Sequence, residues 1–429
     1  GGDMLNRPPH EANVAEQTEH SINGGGMKFD YFSPDEKHRF NVFASAQHIN
    51  RDSYYGGGQD PNAYGNTTDL NWMAGSQYVY SFGKCIFMPS DFTAGVEFNQ
   101  DKLEDNMWGY HRTVDQKVNI GSAFFQNEWK NEHWGFLIGG RLDKHNLIDH
   151  VIFSPRANLR YNPTENINLR FSYSSGFRAP QAFDEDLHVE NVGGNVAMVE
   201  LADNLKEERS QSLSASADIY HRFGAFQVNF LVEGFYTKLS DVFALTDGEV
   251  VDGILTRTRY NAPGARVMGL TLEGKMAYLT KFQVQAGVTL QQSHYSEPHV
   301  WNKEAPAVKK MMRTPNTYGY FTATYTPIKP LSIALSGTYT GSMLVPHEPV
   351  PGFLEKPITV NTKDFFDIGL KAAYDFKLYK SMNLQVNAGV QNIFNAYQND
   401  FDKGADRDSG YIYGPSLPRS FFAGVKISY

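Results

Sequence analysis

From Met382 to Val390 the chain reads MNLQVNAGV, and its side chains alternate without a break. Met382, Leu384, Val386, Ala388 and Val390 are apolar, while Asn383, Gln385, Asn387 and Gly389 between them are amides or bare backbone. A period of two is the repeat of a β-strand, whose successive side chains point to opposite faces, so the segment has one greasy and one polar face. The same pattern returns in Phe282–Leu290, Leu331–Tyr339 and Phe226–Val232. A chain patterned in this way folds into sheet, and the fold class expected is all-β.

The next question is what the two faces meet. A soluble sandwich also alternates, but it turns charged residues to water. Here the polar face in mid-strand is mostly Asn, Gln, Ser, Thr and Gly, with few lysines or glutamates, which suits a crowded, wet lumen. Averages alone point the other way: 41% hydrophobic, 20% charged and a mean hydropathy of -0.45 are ordinary for a soluble protein. No stretch approaches the roughly 18 apolar residues of a membrane helix, yet a membrane barrel needs only every second residue apolar. Aromatics reach 14%, almost all of it from 24 Tyr and 30 Phe. They gather where strands end, at Tyr78, Tyr80, Phe82, Tyr173 and Tyr429, as interfacial girdles do. The reading is one transmembrane antiparallel β-barrel domain over residues 1–429, with no composition break to divide it.

Connections support the same architecture. Short ones are expected at Ser33–Lys37, Lys130–His133, Asn162–Asn166, Arg222–Ala225, Thr280–Lys281, Thr326–Pro330 and Lys377–Ser381. Long ones are expected near 53–66, 102–112, 177–206, 294–314, 343–361 and 396–418. Short periplasmic turns at one rim and long extracellular loops at the other describe outer-membrane barrels. The count is about seventeen strands, with one uncertain crossing around 239–270. Bacterial single-chain barrels close with an even number, and an open edge leaves backbone groups facing lipid. If the whole barrel has roughly 22 strands, as plugged transporters do, five precede this chain. The strand parity agrees, and the expectation is a C-terminal portion of the barrel.

Several classes are excluded. A net charge of -8 without a basic stripe argues against nucleic acid as a partner. A single cysteine, Cys85, allows no internal disulfide and no cysteine metal cluster, and reads as a half-buried thiol in a turn. The opening GGDMLNRPPH has neither a basic nor an apolar leader region, so any secretory signal is expected to have been removed. No phosphate loop, cofactor fingerprint or nucleophile elbow occurs, so neither an enzyme nor a cofactor is expected.

SYSSGFRAP (Ser172–Pro180) followed by NLKEERSQS (Asn204–Ser212) resembles the paired barrel motif of TonB-dependent outer-membrane receptors. VQNIFNAY (Val390–Tyr397) and YGPSLPRSFFAGVKISY (Tyr413–Tyr429) are similar to the family's last two strands. The final strand sets Phe421, Ala423, Val425, Ile427 and Tyr429 on one face, an assembly signal shared by Gram-negative barrels. The resemblance covers essentially the whole chain. It implies an energised uptake receptor in the outer membrane for a scarce large nutrient: a ferric siderophore, haem or a cobalamin-type complex. It implies the TonB complex as partner, acting through a plug domain outside this chain, and it leaves a surface lipoprotein open as a further partner. The competing readings are a passive porin-like channel and, from another class, a barrel enzyme or adhesin.

Candidate site residues are expected in loops and at the lumen rim. Pro180 removes a ladder donor at a strand end, and Arg178 beside it is expected to anchor the loop or to touch ligand, since a guanidinium pairs carboxylates bidentately. His10 and His20, with Glu11 and Glu16, form a mixed imidazole–carboxylate set able to ligate metal or simply to face solvent. Asp184, Asp186 and His188, with Glu185 and Glu190, offer an acid–histidine pair in the long loop, read as loop structure or substrate contact ahead of catalysis. Tyr54, Tyr55 and Tyr64 among glycines would make aromatic platforms for a chelate, or pack on the rim. Asp400, Asp402, Asp406 and Asp408 carry calcium-type oxygens but lack the bidentate glutamate of a calcium loop, which favours a turn held by Asp side chains.

Overall fold

Alternating segments become ladders in the computed structural model, which describes residues 6–192, 195–379, 381–415 and 417–429. The strands are β1 (Val14–Phe32), β2 (His38–Gly57), β3 (Tyr64–Cys85), β4 (Met88–Met107), β5 (Arg112–Lys130), β6 (Trp134–His145), β7 (Ile152–Thr164) and β8 (Ile167–Arg178). A four-residue helix α1 (Asp184–Leu187) and two loop strands, β9 (Glu190–Val192) and β10 (Asn195–Leu201), follow. Next come β11 (Glu208–Phe223), β12 (Phe226–Val251), β13 (Ile254–Tyr278) and β14 (Phe282–His299). The chain ends with β15 (Val308–Lys310), β16 (Thr317–Ile328), β17 (Leu331–Thr340), β18 (Leu344–His347), β19 (Ile358–Asn361), β20 (Phe365–Tyr379), β21 (Met382–Gln391) and β22 (Ser420–Ser428).

Setting aside the short loop strands β9, β10, β15, β18 and β19, seventeen strands run as successive antiparallel neighbours. Among the described residues β1 pairs only with β2 and β22 only with β21, so these are the sheet's two edges. No helix is long and apolar enough to cross a membrane. Outside, large apolar side chains stand exposed in alternate positions, such as Val96 and Phe98 on β4 and Leu169 and Phe171 on β8. The last strand exposes Phe421 (79%), Val425 and Ile427. Bare apolar bands of this extent fit lipid, not water. The opposite face is hydrogen-bonded: Arg141 binds both Glu97 and Asp143, and Ser122 donates to Asp143. Rings also pack over glycines of the next strand. A Cβ on Gly95 would lie 2.3 Å from the Phe124 ring, and one on Gly389 2.5 Å from that of Phe422, so larger residues there displace the ring.

At the short-turn rim aromatics cluster, with Trp134 stacked on Tyr161 at 4.2 Å and Phe87 on Trp129 at 5.5 Å. Asn131 holds one such turn by accepting from the amides of His133 and Trp134. The free thiol Cys85 sits half-buried at another. Two expected loops are shorter than their sequence implies. Residues 53–66 are mostly ladder, with Tyr54 opposite Tyr64, and 102–112 pair out to Met107 opposite Arg112. The uncertain crossing is a continuous hairpin, β12 with β13, turning at Asp252–Gly253. These strands run beyond the bilayer, where loops cover parts of both faces and apolar residues such as Val242, Phe243, Ala244 and Leu245 come in a run, so alternation no longer marks them. A barrel strand needs roughly 9–11 residues to cross; β12 has 26.

Candidate functional site

Strand extensions and loops form a crown over the lumen, and its organising piece is α1. Phe183 donates its amide to the Asp186 carboxylate at 2.8 Å, closing the first turn. The helix then offers one carboxylate to each side. Asp184 binds Arg51 of β2 at 2.6 Å, and Glu185 binds Arg178 at 2.5 Å and Arg259 of β13 at 3.1 Å. Arg259 also pairs with Asp186. Arg178, at the end of β8, lies 4.0 Å from the Phe183 ring and 5.5 Å from Phe243. Burial would raise Glu185, but hydrogen bonds and charge from Arg178 and Arg259 hold it below the usual carboxylate range.

Beside this knot lies a chamber of about 370 Å³. Arg257 is its hub, bound to Glu190 at 2.7 Å, Asp247 at 3.0 Å and Glu348 at 3.4 Å. Asn302 donates to both Asp247 and Glu348. One arginine therefore ties together the loop after β8, the β12–β13 hairpin and the loop after β17. Burial, with Asp247 and Asp408 nearby, pushes Glu348 up to about 7 against the pull of Arg257. Burial likewise raises Asp408, whose carboxylate accepts the amides of Glu348 and Gly410. Tyr295, His299, Trp301 and Phe243 form the aromatic wall. The Trp301 indole N–H and the Arg259 Nε–H are buried without a partner among the described residues.

On the other side of α1 is a tyrosine nest. Tyr54 (1% exposed), Tyr55, Tyr110, Met107, Val189 and Met198 pack as one apolar cluster. The Tyr110 hydroxyl donates to the Tyr55 carbonyl, and the Tyr54 hydroxyl to that of Asp60. Below it Arg51 binds Thr67, Thr67 donates to Asp105, and Asp105 pairs with Arg112, which also donates to the Leu187 carbonyl.

The residues singled out in the sequence divide accordingly. Arg178 holds α1. Tyr54 and Tyr55 are buried as packing, and Tyr64 bonds His10 at 2.8 Å. His188 pairs with Glu16 at 3.2 Å, and that hydrogen bond raises it above its ordinary value despite burial. His20 sits exposed on β1 opposite Arg51, apart from His10. The acidic run is a structured turn: Asp400 accepts from Tyr411 and Tyr413, Asp402 binds His347, Asp408 caps amides and Asp406 is exposed. Among the described residues no group of three or more His, Cys, Asp or Glu side chains is placed to hold a metal, so neither the calcium set nor the His10–His20 set assembles. Sequence reading missed Arg257, Arg259, Trp301 and Glu348. The signal was the Asp-Gly turn at 252–253, which sets Asp247 opposite Arg257 and puts Arg257 and Arg259 on one face.

With that geometry in place, relatives can be compared. The family profile for TonB dependent receptor-like β-barrels matches residues 10–393. The chain belongs to that family. Its place is therefore the outer membrane, with short turns to the periplasm and the crown outside. No curated protein matches the chain. Solved structures with the same fold include the siderophore receptor PirA from Acinetobacter baumannii (TM-score 0.70, 14% identity, 95% of this chain and 62% of that one). The ferric-catecholate import receptor Fiu from E. coli K12 matches at TM-score 0.69 with 14% identity, over 96% of this chain and 64% of that one. The E. coli outer-membrane transporter YddB gives TM-score 0.69 at 9% identity, over 96% and 63%. This TonB-dependent receptor barrel thus spans less than two thirds of the structures that it matches, and the likeness is one of fold.

Proposed function

We propose that this barrel is the ligand-gathering part of a TonB-energised receptor that takes up an iron chelate of the siderophore kind. The observation that carries the reading is the roofed chamber around Arg257, on the outer side of a barrel of this family. It is concave, walled by aromatics and lined with a few converging polar groups, as small-molecule sites are. Loops joined through one buried hub can also move together when a ligand replaces one of its partners. Siderophore receptors among the structures of like fold support the substrate class. Energy would come from the TonB complex through a plug domain filling the lumen.

The test is uptake of radiolabelled iron, haem and cobalamin by cells with and without the gene, each with and without a protonophore. Accumulation from nanomolar ferric chelate should need both the gene and the membrane potential. Uptake that persists in de-energised cells would point to a passive channel. Gene-dependent accumulation of haem or cobalamin alone would move the substrate and keep the mechanism.

A further inference from the structure

The chamber's charges speak to the kind of chelate. Four guanidiniums line it, those of Arg178, Arg257, Arg259 and Arg313, against five carboxylates. Three of the four are already held: Arg257 by three carboxylates, Arg259 by Glu185 and Asp186, and Arg178 by Glu185. Arg313 donates to the carbonyls of Gly410 and Ile412. A polyanion entering the chamber would find its cations engaged and several carboxylates facing it, and like charges brought together in a low-dielectric site repel strongly. What is left unsatisfied at the chamber wall is hydrogen bonding, not charge, since the Arg259 cation is already matched by Glu185 and Asp186. The Trp301 indole N–H and the Arg259 Nε–H are unpartnered in residues only 7% and 6% exposed. A buried donor without an acceptor is unfavourable, and a ligand oxygen relieves it. Tyr295, Trp301 and Phe243 line the same chamber as these donors.

Building on the uptake reading above, we infer that the chamber selects an uncharged, oxygen-rich ligand with an apolar face, and rejects polyanionic chelates. The chemistry separates two large classes of iron complex. Three hydroxamates, each a monoanion, leave iron(III) complexed at zero net charge. Three catecholates, each a dianion, leave it at three negative charges. The uncharged complex can accept hydrogen bonds from Trp301 and Arg259 through its oxygens and lay its hydrocarbon against the wall. The trianion needs free guanidiniums, which the chamber does not offer.

The experiment is equilibrium binding to the receptor purified whole from outer membranes, with a ferric trihydroxamate and a ferric tris-catecholate as probes. The trihydroxamate should bind at least roughly 100-fold more tightly, and its affinity should not change between low and high salt, because no net charge is neutralised. Trp301→Phe keeps the wall and removes the donor, and should weaken that binding by about tenfold. Asp247→Asn with Glu348→Gln leaves Arg257 with Glu190 as its one carboxylate and should bring the tris-catecholate within reach. If this double variant does not fold, the wild-type ratio and salt response still decide. Equal or tighter binding of the tris-catecholate by the wild type overturns the charge argument and leaves the uptake reading standing. Binding of neither probe overturns this inference, while the cell-uptake test decides the uptake reading separately.

Discussion

The tyrosine nest and the arginine chamber share a roof, since both lean on α1, yet they are built from opposite materials. The nest is held by rings, a thioether and the Tyr54 and Tyr110 hydroxyls donating to carbonyls. The chamber is held by charges, and it keeps two donors and an elevated carboxyl in reserve. A region whose interactions close on themselves is a folding core. A region that is over-determined in charge yet unfinished in hydrogen bonds is where a ligand has something to add. The crown therefore has one part that sets shape and another that can respond.

The largest test of that division is Tyr54→Ala. Emptying a site only 1% exposed should destabilise the crown by about 3–5 kcal/mol, seen as faster proteolysis of the loops, with chelate affinity falling only as far as folding does. A variant that folds normally but no longer binds would put ligand contact in the nest. Next is Arg257→Gln, which leaves Glu190, Asp247 and Glu348 without their shared cation. Removing one partner from a buried charge cluster should lower stability by about 3 kcal/mol at neutral pH. Acid should restore much of the loss by protonating the stranded carboxylates, as thermal unfolding against pH would show.

Smaller effects sharpen the picture. Glu348 is raised in the folded crown, so the chamber gains most from it below its ordinary carboxylate range, and the gain fades as pH climbs through about 7. Glu348→Gln should flatten that decline, worth roughly 2 kcal/mol between pH 5 and 8. An unchanged slope would assign the titration to Asp408. His188 works in the same direction: its bridge to Glu16 is complete below about 6.5 and is lost as pH rises through the raised value. The pair is partly exposed, so His188→Gln should shift stability by less than about 1 kcal/mol, detectable as loosened hydrogen exchange around β9.

What the sequence disclosed follows from how physical signals are written. Met382–Val390 and the last strand were plain because lipid on one side and lumen on the other force strict alternation. Residues 53–66 misled because, beyond the bilayer, nothing demands an apolar outer face, and a tyrosine-rich ladder then looks like a loop. Arg178 was conspicuous for ending a patterned strand before Pro180. Arg257 and Arg259 were not, because their meaning comes from partners on two distant loops as well as on their own hairpin. Asp408 was legible as part of a turn held by Asp side chains, and it does accept amides, but that one of them belongs to the distant Glu348 was not. Charge counts are visible in a sequence, but which charges cancel is decided by the fold.

The parallel strand β10 carries a consequence for time. It lies along β13, Val196 opposite Ile254 through Leu201 opposite Arg259, on the stretch that β14 has already left. Antiparallel hairpins close locally and early, but a parallel partner must arrive across a long crossover after its template exists. The order expected is therefore hairpin first, loop strand docking on it later, and α1 locking with that strand. Hydrogen exchange pulsed during refolding should protect β12 and β13 before β10. Simultaneous protection would mean that loop and hairpin form as a single event.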